Sequence, residues 1–269
     1  MNSEYSKYCS DLATKVEEYA SAFEGIQFHE KDQAVEVFAM QSLSMASSSL
    51  QAASILLDNN FVPEAILITR PIQELLFNLR WILGAQNDAE KLERVYRLEG
   101  DPYSAWQKET KLIREDGERR NDSNAIETAK RFNEPLDHFA EKYSYLVEAV
   151  ETGTYKFKSA PAFASRMDPA LRLKYYHLYR YTSVFAHPTP FTKAHYLKTS
   201  NGSQTKFTPE DESIKQSLAY SFLFTDLLVG SAEEILKSFA PESDGNRLKI
   251  YSDIGAIVKL SNKNYFSSI

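Results

Sequence analysis

Apolar residues recur at a spacing near 3.6 along almost the whole chain, and this period constrains the fold more than any other feature. It predicts helices and leaves few segments with the strict alternation of strands. Glycine points the same way. Nine glycines in 269 residues are too few for the turns of a doubly wound nucleotide-binding sheet or a many-stranded β protein. The expected fold class is all-α: a single helical bundle domain over residues 1–269, with a kinked core helix and room for one short hairpin. Its core is placed at roughly residues 30–240 and a C-terminal helical tail at 241–269.

The period and its breakers place the elements. Helices are predicted over Ser3–Phe23, closed by Gly25, and over Lys31–Asp58, stopped by Asn59 and Asn60. The second helix is rich in small residues between Ser42 and Ser54, which permits close helix packing. A third runs from Val62 to Leu83, with Pro63 in its first turn and Pro71 kinking its interior. A fourth begins at Asp88, breaks around Gly100-Asp101-Pro102 and continues to Asp116, with a turn at Gly117–Asp122. Helical pattern resumes from Ser123 to Val150, either unbroken or with a break before Pro135, and Thr152–Arg166 reads as a loop. Asp168-Pro169 opens a helix to about Ala186, which Pro188 and Pro190 end. Thr189–Thr208 is a polar loop or short hairpin, Pro209–Phe239 the last long helix, and Arg247–Leu260 a shorter one.

Composition excludes several classes. With 43% hydrophobic and 25% charged residues the chain is globular rather than disordered. One cysteine, Cys9, rules out a disulfide framework and a cysteine-cluster zinc site. Signatures of the ferritin-like bundle, zinc protease, P-loop, dinucleotide fold and serine hydrolase are absent, so no metal or cofactor is expected. The polar N-terminus has no apolar signal core, and the most apolar stretch, Ala65–Leu83, is interrupted by Arg70, Glu74 and Arg80. A cytoplasmic protein without membrane contact is expected.

Net charge is −6, which argues against a general nucleic-acid coat, but the charge is uneven. Between Thr154 and Lys206, nine Lys and Arg stand against the single acid Asp168, a net +8 on an otherwise acidic chain. His177, His187, His195 and six tyrosines share the segment. A basic, aromatic strip of this kind suits an anionic ligand, and it would equally suit a solvated surface balanced by acidic neighbours.

Within the strip, Arg172, Tyr176, Arg180, Ser183 and His187 follow at spacings of 4, 4, 3 and 4, one face of a helix. A histidine that titrates near neutrality can move a proton at a ribose 2′-hydroxyl or a leaving 5′-oxygen, and an arginine can hold the scissile phosphate on two nitrogens. Arg180 and His187 are therefore the candidate catalytic pair, with Ser183 orienting them. The competing reading is a buried polar ladder that stabilises the bundle. A second polar pair, Arg70 and Glu74, lies at i, i+4 in the apolar run of the third helix and is expected to be buried or to line a cleft. Glu74 could set the tautomer of His187 and joins the catalytic set. Arg70, Arg172, Tyr176, Tyr179, Lys193 and Lys198 are the candidate substrate-binding residues.

Two stretches carry a resemblance. NNFVPEAILITRPIQELLFNLRWIL (Asn59–Leu83) and YYHLYRYTSVFAHPTPF (Tyr175–Phe191) resemble a bacterial helical family of unknown function with an Arg-x-x-x-Glu helix and a later Tyr…Ser-x-x-x-His-Pro helix. The matching positions are Arg70, Glu74, Tyr179, Ser183 and His187, and the resemblance covers roughly residues 30–190. A wider similarity is to HEPN domains, helical and often dimeric, many of them metal-independent ribonucleases of toxin and phage-defence systems. Their mark is an arginine, four to six residues, then a histidine. Arg180 and His187 enclose six, and Tyr181 follows the arginine where HEPN ribonucleases usually have Asn, Asp or His. The resemblance implies an endoribonuclease acting as a homodimer, or a non-catalytic module that binds RNA, a nucleotide or a partner protein. A purely structural bundle is the third alternative.

Overall fold

The computed structural model describes residues 2–28, 33–142, 147–151, 154–157, 160–167, 169–176, 198–200, 204–206, 212–239 and 245–263. These residues are helical but for turns and two short hairpins, so the chain is all-α. The helices are α1 (Asn2–Ser21), α2 (Ala34–Asp58), α3 (Val62–Leu83), α4 (Asp88–Arg120), α5 (Ser123–Lys142), α6 (Phe163–Arg166), α7 (Glu212–Leu236) and α8 (Gly245–Ser261). The chain divides into two compact units, Met1–Leu83 with Met167–Ile269, and Gly84–Arg166.

In the first unit α2 and α3 are central. α1 lies along α2 because the small residues of α2 let the two backbones approach: Ala46 and Ala53 are fully buried, Ser47 Oγ donates to the Ala13 carbonyl at 3.0 Å, and Ser54 Oγ donates to the Ser6 carbonyl at 3.0 Å. α3 packs on α2 and α7, where Phe77 meets Phe224 edge-on at 6.0 Å. α8 closes on α1 and α7 with Ile250, Ile254 and Val258. A polar clasp joins these three helices: Tyr19 and Arg247 both donate to Glu233 Oε2, and the Arg247 guanidinium lies 5.9 Å above the Phe23 ring. The turns follow local chemistry. Gly25 ends the α1 turn at φ 86°, and Asn60 takes the left-handed conformation at φ 64° while Asn59 Nδ2 donates to the Ile55 carbonyl at 2.8 Å.

In the second unit α4 and α5 form a helical hairpin. Asn87 caps α4 by accepting from the Glu90 N–H at 2.9 Å, and Glu90 reaches back to accept from the Gln86 N–H at 2.8 Å. Asp122 caps α5 by accepting from the Asn124 and Ala125 N–H groups. α4 solvates itself with i, i+4 ion pairs such as Glu90–Arg94 and Glu93–Arg97.

Several sequence expectations need correction. α4 does not break at Gly100-Asp101-Pro102. It runs on through Pro102 because packing on α5 and its ion-pair ladder outweigh the poor helix propensities there. α4 also runs past Gly117, leaving only the Asn121–Asp122 junction as a turn, with Asn121 left-handed at φ 53°. The helix predicted to reach Val150 ends at Lys142. Val147–Glu151 is instead strand β1, antiparallel to β2, Thr154–Phe157, in the stretch read as a loop. The β-branched and aromatic residues Val147, Val150, Tyr155 and Phe157 suit a strand better than the helical pattern imposed on them. A second hairpin pairs β3, Lys198–Ser200, with β4, Gln204–Lys206, so there are two hairpins where one was allowed for.

Candidate functional site

α3 carries the first half of the predicted constellation. Its packed sides bury Ile66, Thr69, Ile72, Gln73, Leu76, Phe77, Leu79 and Ile82. Between them runs a half-exposed line of Leu67, Arg70, Glu74, Asn78 and Trp81. Arg70 Nε donates to Glu74 Oε1 at 3.2 Å, with side chains 30% and 47% exposed. Of the two placements expected for the pair, burial does not hold, and partial exposure agrees with the lining of a cleft. The surrounding sequence is apolar because α2 and α7 cover two sides of α3, but the strip carrying Arg70 and Glu74 keeps contact with solvent. An i, i+4 pair so exposed contributes a few tenths of a kcal/mol, ~0.3–0.5. Its value is positional: it holds a cation and an anion side by side on an accessible edge.

The second half begins in residues 172–176, which are helical. Met167, Leu171 and Tyr175 bury the inner side of this segment, and the Tyr175 N–H donates to the Leu171 carbonyl at 2.9 Å. The Tyr175 ring stands edge-on to Phe77 of α3, centroids 5.4 Å apart and planes at 86°. Phe77 is three residues beyond Glu74, about 4.5 Å along the helix axis. Residues 172–176 are therefore pinned to α3 within a turn of the Arg70–Glu74 pair. Arg172 and Tyr176, four residues apart, both face solvent.

Tyr179, Arg180, Ser183, His187 and Lys193 lie outside the described residues, as does the remainder of the helix predicted to reach Ala186. Lys198 opens β3, and its Cα partner across the hairpin is Lys206.

Other candidates are set aside by geometry. Cys9 is fully buried, and burial pushes its thiol up to about 12, so it is no nucleophile. His138 is exposed on α5. Among the described residues no group of three or more His, Cys, Asp or Glu side chains is placed to hold a metal. None of the helices described is long and apolar enough to cross a membrane. An open groove of about 420 Å³ between α1 and α2, bordered by Glu17, Glu24, Ser44, Ser48 and Gln51, contains none of the predicted site residues. Two features were not anticipated: the Tyr19–Glu233–Arg247 clasp and the fully buried Gln73. The spacing of Thr69, Gln73 and Phe77 along the buried side of α3 could have signalled the latter.

The chain belongs to DUF5677, a family of unknown function, whose family model matches residues 36–204. The match fits the helical family of unknown function that the Arg-x-x-x-Glu and Ser-x-x-x-His-Pro stretches resemble. It takes in α2 from its third residue, α3 to α6, the β1–β2 hairpin, β3 and all ten candidate residues, stops at the first residue of β4, and leaves out α1, α7 and α8. No curated protein and no solved structure matches the chain.

Proposed function

We propose that this member of DUF5677 acts on RNA through the basic segment 154–206, cleaving it without a metal in the manner of a HEPN-like ribonuclease. The observation that carries the reading is the posture of residues 172–176: Tyr175 holds them against Phe77 of α3, and Arg172 and Tyr176 face solvent. These are the first two members of the stripe that continues in sequence to Arg180, Ser183 and His187. The opposed Lys198 and Lys206 support the same ligand class.

In this reading Arg180 holds the scissile phosphate and stabilises the charge that builds on it. The ribose 2′-oxygen attacks phosphorus as its proton passes to a base, and the bond to the 5′-oxygen breaks as that oxygen takes up a proton. His187 serves one of these transfers, and the His187 of a second copy in a homodimer serves the other. The products are a 2′,3′-cyclic phosphate end and a 5′-hydroxyl end. Arg70, Tyr179, Lys193 and Lys198 hold flanking phosphates, and Glu74 orients His187.

The test is incubation of purified protein with total RNA in the presence of EDTA. Wild type is expected to cleave, His187→Ala to lose about 10²–10⁴-fold in rate while keeping its helical circular dichroism, and Arg180→Lys to be damaged because an ammonium makes no bidentate phosphate contact. RNA left equally intact by wild type and His187→Ala, with and without EDTA, would remove cleavage. Tyr181, where HEPN ribonucleases usually carry a smaller polar residue, favours the second reading: a non-catalytic module that binds RNA or a nucleotide through the same strip.

A further inference from the structure

The interface between α3 and α7 carries a line of buried polar side chains. On α3, Thr69, Gln73 and Phe77 follow at every fourth residue and so share one face. Both ends of that line touch α7: Thr69 Oγ1 lies 2.8 Å from Ser221 Oγ, and Phe77 meets Phe224. Gln73, between them, must face the same seam. α7 answers with Ser217, Ser221 and Thr225, again every fourth residue, all buried.

The hydroxyls of Thr69, Ser221 and Thr225 are already committed as donors. Ser221 Oγ donates to the Ser217 carbonyl at 3.1 Å, Thr225 Oγ1 to the Ser221 carbonyl at 2.9 Å, and Thr69 Oγ1 reaches the Ile66 carbonyl at 2.9 Å. What they retain is acceptor capacity. Gln73 is fully buried, and neither Nε2 nor Oε1 has a hydrogen-bond partner among the described residues. A primary amide brings two donors and an acceptor oxygen, and such groups are almost always paired inside proteins. The seam therefore holds an amide that needs both kinds of partner beside hydroxyls that can only accept. Serine and threonine are also small, so this stretch of α7 fills less of the space facing Gln73 than leucines would.

We infer that the α3–α7 seam is an internal hydration site, in which water joins the Gln73 amide to the hydroxyl oxygens of Ser221 and Thr225. Water supplies the missing donor to Oε1 and the missing acceptor for Nε2–H, and buried water of this kind makes two to four hydrogen bonds to groups that otherwise lack them. The site lies on the same turn of α3 as Arg70 and Glu74 and does not depend on the RNA reading.

The test is protein–water NOE and ROE spectroscopy on full-length protein with 15N-labelled glutamine, the Gln73 amide being assigned by its loss in Gln73→Met. The Gln73 Nε2 protons should show water cross-peaks of opposite sign in the two experiments, the mark of a water held for longer than about a nanosecond. Thermal melts give a second readout. Removing a hydrated amide strips the water of partners, so Gln73→Met should leave the midpoint unchanged or lower it. Absence of water cross-peaks at Gln73 overturns the inference. So does a raised melting midpoint in Gln73→Met, which is what relief of a dry, unpaired amide produces. Should Gln73→Met fail to fold, Gln73→Asn supplies the assignment and the wild-type cross-peaks alone decide.

Discussion

Asp226 is the carboxylate most at odds with its surroundings among the described residues. It sits half-buried on α7, and burial raises its carboxyl above the ordinary range, with Lys259 of α8 offsetting part of the effect. A side-chain carbon on Gly255 would lie 3.7 Å from Asp226 Oδ1, so the α8 backbone passes close by. The raised value fixes the sign of the linkage. The folded state binds the proton more tightly than the unfolded chain, so stability from this group rises as pH falls through the folded value, and the full burial penalty stands above it. Asp226→Asn should raise the melting midpoint at neutral pH. It should also flatten the part of the pH profile between neutrality and about pH 4 that Asp226 causes. An unchanged profile would show that Asp226 is better solvated than its position implies. At this scale the sequence was partly legible. The helical spacing of Arg172 and Tyr176 put both on one face, and the structure shows that face open to solvent at these two positions. The same spacing could not say that Arg70 and Glu74 keep contact with solvent, because a run of apolar neighbours looks the same whether two sides of a helix are covered or all of them. Nor could it show that Glu233 would collect both Tyr19 and Arg247, groups distant in sequence and brought together only by packing.

Elements bounded by strong local chemistry were read nearly to the residue. α3 runs from Val62 to Leu83 as the Pro63 start and the apolar period require, and α2 stops before its asparagines. The two departures in α4 share one cause: glycine and proline favour a break there, and tertiary contact holds the helix together. Gly117 shows why. It lies inside α4, and a Cβ built there would sit 3.0 Å from Ala125 Cβ and 3.2 Å from the Ile126 N–H nitrogen. The glycine marks close approach of two helices, not a turn. Gly117→Ala would gain just under 1 kcal/mol of helix propensity. It would also push backbone against backbone, and overpacking of that kind costs about 1–3 kcal/mol. The net expectation is a lower melting midpoint with α4 still helical. A raised midpoint would mean that α5 can withdraw without loss. Gly230 on α7 is a second such approach, with the Tyr251 hydroxyl oxygen 2.8 Å from its would-be Cβ, but there a flexible side chain can give way.

At the scale of the whole molecule the division into two units left no mark in the sequence. The junctions at Leu83–Gly84 and Arg166–Met167 carry no linker composition, since a helix turn that ends a compact unit uses the same residues as one inside it. The charge distribution was legible, because charge needs no fold to be counted. In the proposed reading, the nine basic residues and one acid between Thr154 and Lys206, in a chain of net −6, attract a polyanion locally. Such a molecule should bind single-stranded RNA with an affinity that falls steeply with salt, and the slope should depend on which lysines are removed. Each phosphate contact contributes roughly 0.7 to the slope of log affinity against log salt. Neutralising Lys193 and Lys198 to glutamine should therefore flatten the slope by about 1.4. The same change in net charge at Lys111 and Lys130, exposed on α4 and α5 and each near a glutamate, should leave the slope in place. If both double variants flatten it equally, binding follows the net charge of the protein and the strip is not the contact surface. If only the Lys193 and Lys198 pair matters while RNA stays uncut, the strip is a binding surface and the cleavage chemistry assigned to His187 falls away.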